Sequence, residues 1–159
     1  QAYQYLLEAI KRDGVPYDLI SKSLPTVEGA VNDILSQIVD FNIVFNMDGK
    51  VIDTHIVYDD DRVWPLELSS GMERFISSLA IRASLINVSN LPRSNFLAID
   101  EGWGTMDSDN INSVYGLFQY LKTQFQFSLI VSHIDSMRDA VDTLLEVKKD
   151  GSYSNINFD

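Results

Sequence analysis

The sequence predicts an α/β fold in which a parallel sheet with flanking helices is accompanied by β-hairpins. The apolar segments FLAI, at 96–99, and FSLIV, at 127–131, each have the length of a short buried strand, and a helical pattern separates them. Strands joined through a helix pair in parallel. An apolar-polar alternation on both sides of an Asp-Gly turn at 48–49 predicts an antiparallel hairpin as well.

The amino-terminal region is predicted to be helical. Residues 3–12 carry apolar side chains at helical spacing, either as a core helix or as the last turns of a longer helix that enters from upstream. Asp13, Gly14 and Pro16 end this helix, and Pro25 is expected to open a second one. The apolar face of the second helix consists of Val27, Val31, Ile34, Leu35 and Ile38.

The later elements follow from the same patterns. The hairpin is expected to end before Trp64 and Pro65, and an amphipathic helix should begin near residue 70. A further helix is expected near 108–123, between the two apolar strands. The segment TLLEVKKDGSYSNINFD should form a final hairpin that turns at Asp150 and Gly151.

Composition excludes several classes of protein. The chain has 159 residues, 45% of them hydrophobic, and no Cys, so it has neither a disulfide framework nor a thiolate metal site. No apolar run approaches the roughly 20 residues of a membrane span, so we expect an intracellular protein without a membrane partner. The net charge is −11, so this chain alone should bind DNA poorly. It begins with Gln1 and not with Met, which we interpret as a fragment.

Polar side chains follow both apolar strands directly. Asp100 and Glu101 follow the first strand, and Ser132 and His133 follow the second. In βαβ units the ligand site lies beyond the carboxyl ends of the strands. One carboxylate suits hydrated Mg²⁺ and the other suits a water molecule, as phosphoanhydride hydrolysis requires. The alternative is that the acids cap a turn or face solvent and that the histidine is structural.

A serine and a glycine precede the helix that begins near residue 70. In LELSSGMERFISSLAIRASL, Ser70 and Gly71 stand at the start of this helix. A serine in this place is most often a simple cap. The same geometry presents free backbone N–H groups to an anion such as a terminal phosphate, so both interpretations remain open.

The motifs in this order resemble the carboxyl-terminal half of ABC-type ATPase heads. Within that superfamily, IDEGWGTMD and SSGMERFISSLAIR are most similar to the SbcC and Rad family of DNA double-strand-break repair ATPases. The segment KRDGVPYDLISKSLPTVEGAVNDIL also resembles the place where that family's returning coiled coil enters the head. The resemblance therefore implies an ABC-type ATPase half-head at the base of a coiled coil, with residues 1–40 as the helical entry and 41–159 as the carboxyl-terminal lobe.

The resemblance implies a role for each matching residue. Asp100 would be the Walker B acid that holds Mg²⁺ through water, and Glu101 the catalytic carboxylate that activates the attacking water. His133 would be the switch histidine at the γ-phosphate, and Asp107 the acid of the loop that crosses the dimer interface. The signature, around Ser70, would close over ATP held by a second head, so ATP would hold the dimer together.

The signature departs from the usual Leu-Ser-Gly-Gly pattern. Counting back from Ser78 and Leu79 places Met72 where the second glycine should be and makes Ser70 the signature serine, whereas counting forward from Leu68 selects Ser69. We prefer Ser70, because that register keeps the downstream helix aligned. The N–H of Met72 could still reach a phosphate if its φ is negative.

The chain contains no P-loop. The only Gly-Lys pair, Gly49 and Lys50, lacks both the first glycine and the Ser or Thr of that motif. By resemblance, an amino-terminal segment joined through a coiled coil supplies the P-loop half, and this chain alone should be inactive. The implied partners are that P-loop half, a second head in an ATP-dependent homodimer, an SbcD-type nuclease and double-stranded DNA. The implied location is the cytoplasm and nucleoid, or the nucleus of a eukaryote.

Two other functions are compatible with the sequence. One is an SMC-type or other recombination head that entraps DNA without a nuclease. A zinc hook in the coiled coil would favour the SbcC type, and a larger hinge domain would favour the SMC type. The other is a non-catalytic interaction module in which Glu101 and His133 are only structural.

Overall fold

The computed structural model describes residues 2–11, 13–48, 51–100 and 111–158. The chain divides into two compact units, Gln1–Asn95 and Phe96–Asp159. The described helices are α1 (Ala2–Ile10), α2 (Val15–Leu35), α3 (Gly71–Val88) and α4 (Ile111–Gln124). The described strands are β1 (Asn42–Asp48), β2 (Val51–Asp59), β3 (Arg62–Pro65), β4 (Phe96–Asp100), β5 (Phe127–Val131), β6 (Leu145–Asp150) and β7 (Tyr153–Phe158).

The prediction that Pro25 opens the second helix is wrong. Helix α2 begins at Val15, has Pro16 in its first turn, and contains Pro25 in its interior. Proline fixes φ near the helical value, so in the interior it costs a hydrogen bond and a ring clash, about 3 kcal/mol, without forbidding the helix. The start signal is therefore Gly14 with Pro16, and the predicted break after α1 is confirmed.

The first unit has an antiparallel sheet with the order β1-β2-β3. The predicted hairpin of β1 and β2 is confirmed, with Asn42 opposite Val57 and Asp48 opposite Val51. Strand β3, which the sequence did not predict, adds to β2 and places Trp64 opposite Ile56. The core of the unit lies where this sheet and α3 pack against α2. Its completely buried side chains include Val31, Leu35, Ile43, Ile56 and Ile76.

Two α2 side chains satisfy the backbone of edge strand β1. The Asn32 amide donates from Nδ2 to the Ile43 carbonyl at 2.8 Å and accepts from the Ile43 N–H through Oδ1 at 2.7 Å. The Glu28 carboxylate accepts from the N–H of Phe45 at 2.7 Å. These side chains occupy the positions that a further strand would take, so they fix α2 along the sheet.

The second unit contains the predicted parallel pair, β4 with β5. Phe96 lies opposite Phe127 and Asp100 lies opposite Val131. The helix predicted between these strands is confirmed as α4, which buries Val114, Leu117, Phe118 and Leu121. The final hairpin, β6 with β7, is also confirmed, and Gly151 adopts a φ of 59° in its turn.

One face of the β4–β5 pair is apolar and exposed. The rings of Phe96 and Phe127 stack across the two strands with centroids 5.4 Å apart, yet they are 47% and 58% exposed. Leu129 and Val131 continue this face and are also exposed. Parallel sheets are normally covered on both faces. Because these side chains are exposed, no layer of the described residues covers this face.

Candidate functional site

Ser70 is the N-cap of α3. Its backbone is extended, with φ −62° and ψ 159°, and its side-chain oxygen accepts from the N–H of Glu73 at 3.2 Å. The Glu73 carboxylate accepts in return from the Ser70 N–H at 2.6 Å. This reciprocal pair is a capping box, which explains why the helix begins at Gly71.

The Glu73 carboxylate has a second donor, the Tyr58 hydroxyl of β2, at 2.5 Å. Burial, the largest single influence, raises the pKa of Glu73, but the hydrogen bonds from Tyr58 and Ser70 outweigh it and leave this pKa below its usual value. Burial, together with the bond to Glu73, raises the pKa of Tyr58 to about 12. The pair is therefore a neutral phenol that donates to an ionised carboxylate.

Ser69 has a different environment from Ser70. It ends a short 3₁₀ turn, Leu66–Leu68, is buried, and donates from Oγ to the Leu66 carbonyl at 2.7 Å. Of the two candidate signature serines, only Ser70 stands at the helix N-terminus. Which of them acts as the signature serine stays a prediction.

Gly71 and Met72 occupy the first two positions of α3. Because the first residues of a helix have no intrahelical acceptor, their N–H groups are directed out of the N-terminus. Met72 is helical, so its φ is negative, and its side chain is buried. A residue other than glycine therefore fits this position without backbone strain.

Asp100 and His133 lie at the same end of the β4–β5 pair. The register places Asp100 beside Val131, and His133 follows two residues later. Both side chains are exposed. Ser132, the residue before His133, accepts from the Ile134 N–H at 3.1 Å and donates to the Met137 sulfur at 3.3 Å, so the chain turns after β5. The carboxylate and the imidazole thus share one edge of the sheet, as the sequence predicts.

Two predicted site residues, Glu101 and Asp107, lie outside the described residues, as does Trp103. Ser70 belongs to the first compact unit, whereas Asp100 and His133 belong to the second. In the described part of the chain, no group of three or more His, Asp or Glu side chains could hold a metal ion by itself.

The neighbours of Ser70 were not predicted from the sequence. Tyr58 and Glu73 are 15 residues apart and belong to different elements, so no local pattern connects them. Trp64, which had no predicted role, stacks on Tyr58 with ring centroids 5.5 Å apart. The Ser-x-x-Glu spacing is the one sequence feature that indicates the contact between Ser70 and Glu73.

Sequence comparison relates the chain to parts of longer proteins. It is 36% identical over 170 residues to an uncharacterized protein of Acanthamoeba polyphaga mimivirus, covering 97% of this chain and 13% of that protein. It is 30% identical over 93 residues to the SbcC component of the nuclease SbcCD of Staphylococcus aureus, covering 56% of this chain and 9% of SbcC. The chain thus spans only a small part of either relative. No family model matches it.

Structure comparison relates the chain to SMC ATPase heads. A chain solved in work on the ATP-driven dimerization and DNA-stimulated activation of SMC ATPases superposes with a TM-score of 0.72 at 14% identity, over 89% of this chain and 88% of that one. The Smc head of Pyrococcus furiosus with an extended coiled coil, bound to the C-terminal domain of ScpA, gives 0.67 at 16% identity. That match covers 99% of this chain and 39% of the Smc head chain.

The predicted α/β class is confirmed, and the predicted resemblance is confirmed as a partial sequence match to SbcC and a shared fold with SMC heads. No described helix is long and apolar enough to cross a membrane.

Proposed function

We propose that this chain, which has the fold of an SMC-type ATPase head and resembles part of SbcC, is the carboxyl-terminal half of the ATPase head of a DNA double-strand-break repair complex. The observation that carries the proposal is the parallel register of β4 and β5, which brings Asp100 and His133 to one edge of the sheet. The capped N-terminus of α3 supplies the second element of such a head.

The proposed roles divide ATP binding from hydrolysis. Asp100 would hold Mg²⁺ through water, Glu101 would orient and deprotonate the attacking water, and His133 would contact the γ-phosphate. Asp107 contacts the partner head across the interface. The N–H groups at Gly71 and Met72, beside the Ser70 side chain and at the positive end of the α3 dipole, close over ATP that the partner head holds.

The described residues fit Mg²⁺ and ATP only in part. An exposed carboxylate such as Asp100 is a suitable oxygen ligand for Mg²⁺, which usually keeps several waters and takes one or two protein carboxylates. The remaining ligands would be water, phosphate oxygens and side chains of the amino-terminal half. ATP would provide the phosphoanhydride that is cleaved. This chain would provide the metal-binding carboxylate of Asp100, the general base Glu101 and the signature around Ser70.

The proposed partners follow from the exposed face of β4–β5 and from the resemblance to SbcC. The exposed apolar face of β4–β5 supports an additional layer, which we assign to the P-loop half of the same head. Residues 1–40 would connect the head to the coiled coil, and 41–159 would form its carboxyl-terminal lobe. A second head would complete the ATP site, and an SbcD-type nuclease and double-stranded DNA would complete an intracellular complex, in the cytoplasm and nucleoid or in a nucleus.

A second candidate is an SMC-type head that entraps DNA without a nuclease. The structural neighbours favour it, since they are SMC heads. The sequence resemblance to SbcC of the SbcCD nuclease favours the first candidate. The coiled-coil apex of the complete protein separates the two, because a zinc hook would indicate the SbcC type and a hinge domain the SMC type.

The test is ATP turnover by this chain assembled with its amino-terminal half. We expect Mg²⁺-dependent hydrolysis that Glu101→Gln abolishes while an ATP-bound dimer accumulates, and no turnover by either half alone. Glu8→Gln, at an exposed carboxylate on α1, is the matched control and should leave turnover unchanged. Equal turnover by the native and Glu101→Gln assemblies would remove Glu101 from the chemistry and refute the proposal at its central residue.

A further inference from the structure

Tyr58, whose hydroxyl bonds to Glu73 in the first turn of α3, packs against two other aromatic rings. Phe41 lies at a centroid distance of 5.5 Å with a tilt of 56°, and Trp64 lies at 5.5 Å in a stacked arrangement. The guanidinium of Arg62 lies 5.2 Å from the Tyr58 ring centroid, and its Nε donates to Oδ2 of Asp59 at 2.7 Å. Phe41 is buried and Trp64 is partly buried. Tyr58 therefore contacts two rings and one guanidinium, and these contacts restrict the rotation of its side chain.

The Tyr58 hydroxyl is directed at the capping box. It donates to Oε1 of Glu73, while Oε2 of the same carboxylate accepts from the Ser70 N–H. Both carboxylate oxygens are thus used, one toward the sheet and the other toward the serine. Because hydrogen bonds to an ionised carboxylate are roughly twice as strong as neutral ones, this connection is stiffer than a simple cap.

The connection fixes Ser70 in two ways. Its N–H is held by Glu73, and its hydroxyl oxygen accepts from the Glu73 N–H. A capping box alone would tie Ser70 only to its own helix. The hydroxyl of Tyr58 also ties that box to β2, so the first turn of α3 cannot shift along the sheet without breaking a charge-assisted hydrogen bond.

We propose that Tyr58 and Glu73 are positioning residues that hold Ser70 and the first turn of α3 in the orientation required to contact nucleotide on a partner head. This inference rests on the proposed function and extends it to the sheet. Tyr58 does not contact nucleotide; it acts through Glu73. Loss of the connection leaves α3 folded but lets its first turn vary, so it weakens ATP-dependent association of heads more than ATP binding by a single head.

Two conservative variants isolate the connection. Tyr58→Phe keeps the ring that packs against Phe41 and Trp64 and removes only the hydroxyl. Glu73→Gln keeps the shape but removes the charge and replaces one acceptor oxygen with an NH2 group, so neither Tyr58 nor Ser70 donates to a carboxylate any longer. Tyr153→Phe removes a hydroxyl from a side chain that is 80% exposed on β7 and serves as the matched control.

The measurement uses the complete head, assembled from both halves, in sedimentation runs with saturating ATP and Mg²⁺. We expect Tyr58→Phe and Glu73→Gln each to raise the dimer dissociation constant by about tenfold, the effect of losing one charged hydrogen bond. ATP affinity of the single head and turnover by whatever dimer remains should stay near the native values, and Tyr153→Phe should match the native head throughout.

Ser70→Arg separates failure of this inference from failure of the proposed function. If Ser70→Arg prevents ATP-dependent association while Tyr58→Phe and Glu73→Gln associate like the native head, the signature role stands and the positioning role is overturned. If Ser70→Arg also associates normally, the proposed function itself is refuted. A loss of single-head ATP binding in Tyr58→Phe, equal to its loss of association, would indicate general destabilisation and would also overturn the positioning role.

Discussion

The side-chain amide of Asn32 provides a sharp test of how α2 is fixed to the sheet. Asn32→Leu keeps a similar side-chain size and removes both hydrogen bonds to Ile43, at 2.8 and 2.7 Å. Ile43 is completely buried, so water has little access to the N–H and C=O that lose their partner. We expect this substitution to destabilise the first compact unit.

The size of the effect follows from the two orphaned groups. Each buried backbone group that loses its partner costs about 1 to 3 kcal/mol. Leucine recovers about 0.5 kcal/mol through its better helix propensity. The expected net loss for the two groups together is therefore about 1.5 to 5.5 kcal/mol in the free energy of unfolding.

Urea denaturation of the chain, followed by far-UV circular dichroism and by tryptophan fluorescence, measures this loss. Asp33→Leu is the control, because Asp33 is exposed on the same helix and that substitution carries a similar propensity gain. A loss below about 1 kcal/mol for Asn32→Leu relative to Asp33→Leu would mean that the amide does not hold the edge of β1, and the reasoning would be wrong.

Two further predictions concern pH and glycine. The pKa of Tyr58 is raised to about 12 from 10.0, so the contribution of this side chain to stability is complete below pH 10 and is lost as pH rises toward 12. Thermal unfolding over that range should show a steeper loss for the native chain than for Tyr58→Phe, and parallel curves would contradict the raised pKa. Gly151→Ala, at a φ of 59° with open space around the added Cβ, should lower the free energy of unfolding by about 1 kcal/mol. Gly29→Ala, inside α2 and also with open space, should raise it by about 1 kcal/mol. Equal signs for the two substitutions in chemical denaturation would refute the backbone argument.

Most elements could be predicted because their signals are local. The apolar faces of α3 and α4 and the short apolar strands β4 and β5 were read from periodicity, and the parallel pairing followed from the helix between them. Strand β3 was missed because four residues ending in Pro65 show no alternation. The start of α2 was predicted wrongly, because the sequence does not distinguish an interior proline such as Pro25 from a proline in the first turn.

The environment of the candidate site was less accessible to sequence reasoning. Asp100 and His133 could be placed at one edge because strand ends are a local feature. The Tyr58–Glu73 bond depends on how β2 and α3 approach each other, and the Asn32–Ile43 pair depends on how α2 lies along β1. Such contacts join side chains to partners that no spacing rule identifies.

The stacked Phe96 and Phe127 have a consequence for handling the chain alone. In the described part of the chain, β4 and β5 form a two-stranded sheet with no further neighbour, and its exposed face is apolar. Unpaired strand edges beside an open apolar surface are templates for association with other molecules. A solution of this chain without a covering partner is therefore prone to aggregate as its concentration rises, even where each compact unit is well folded.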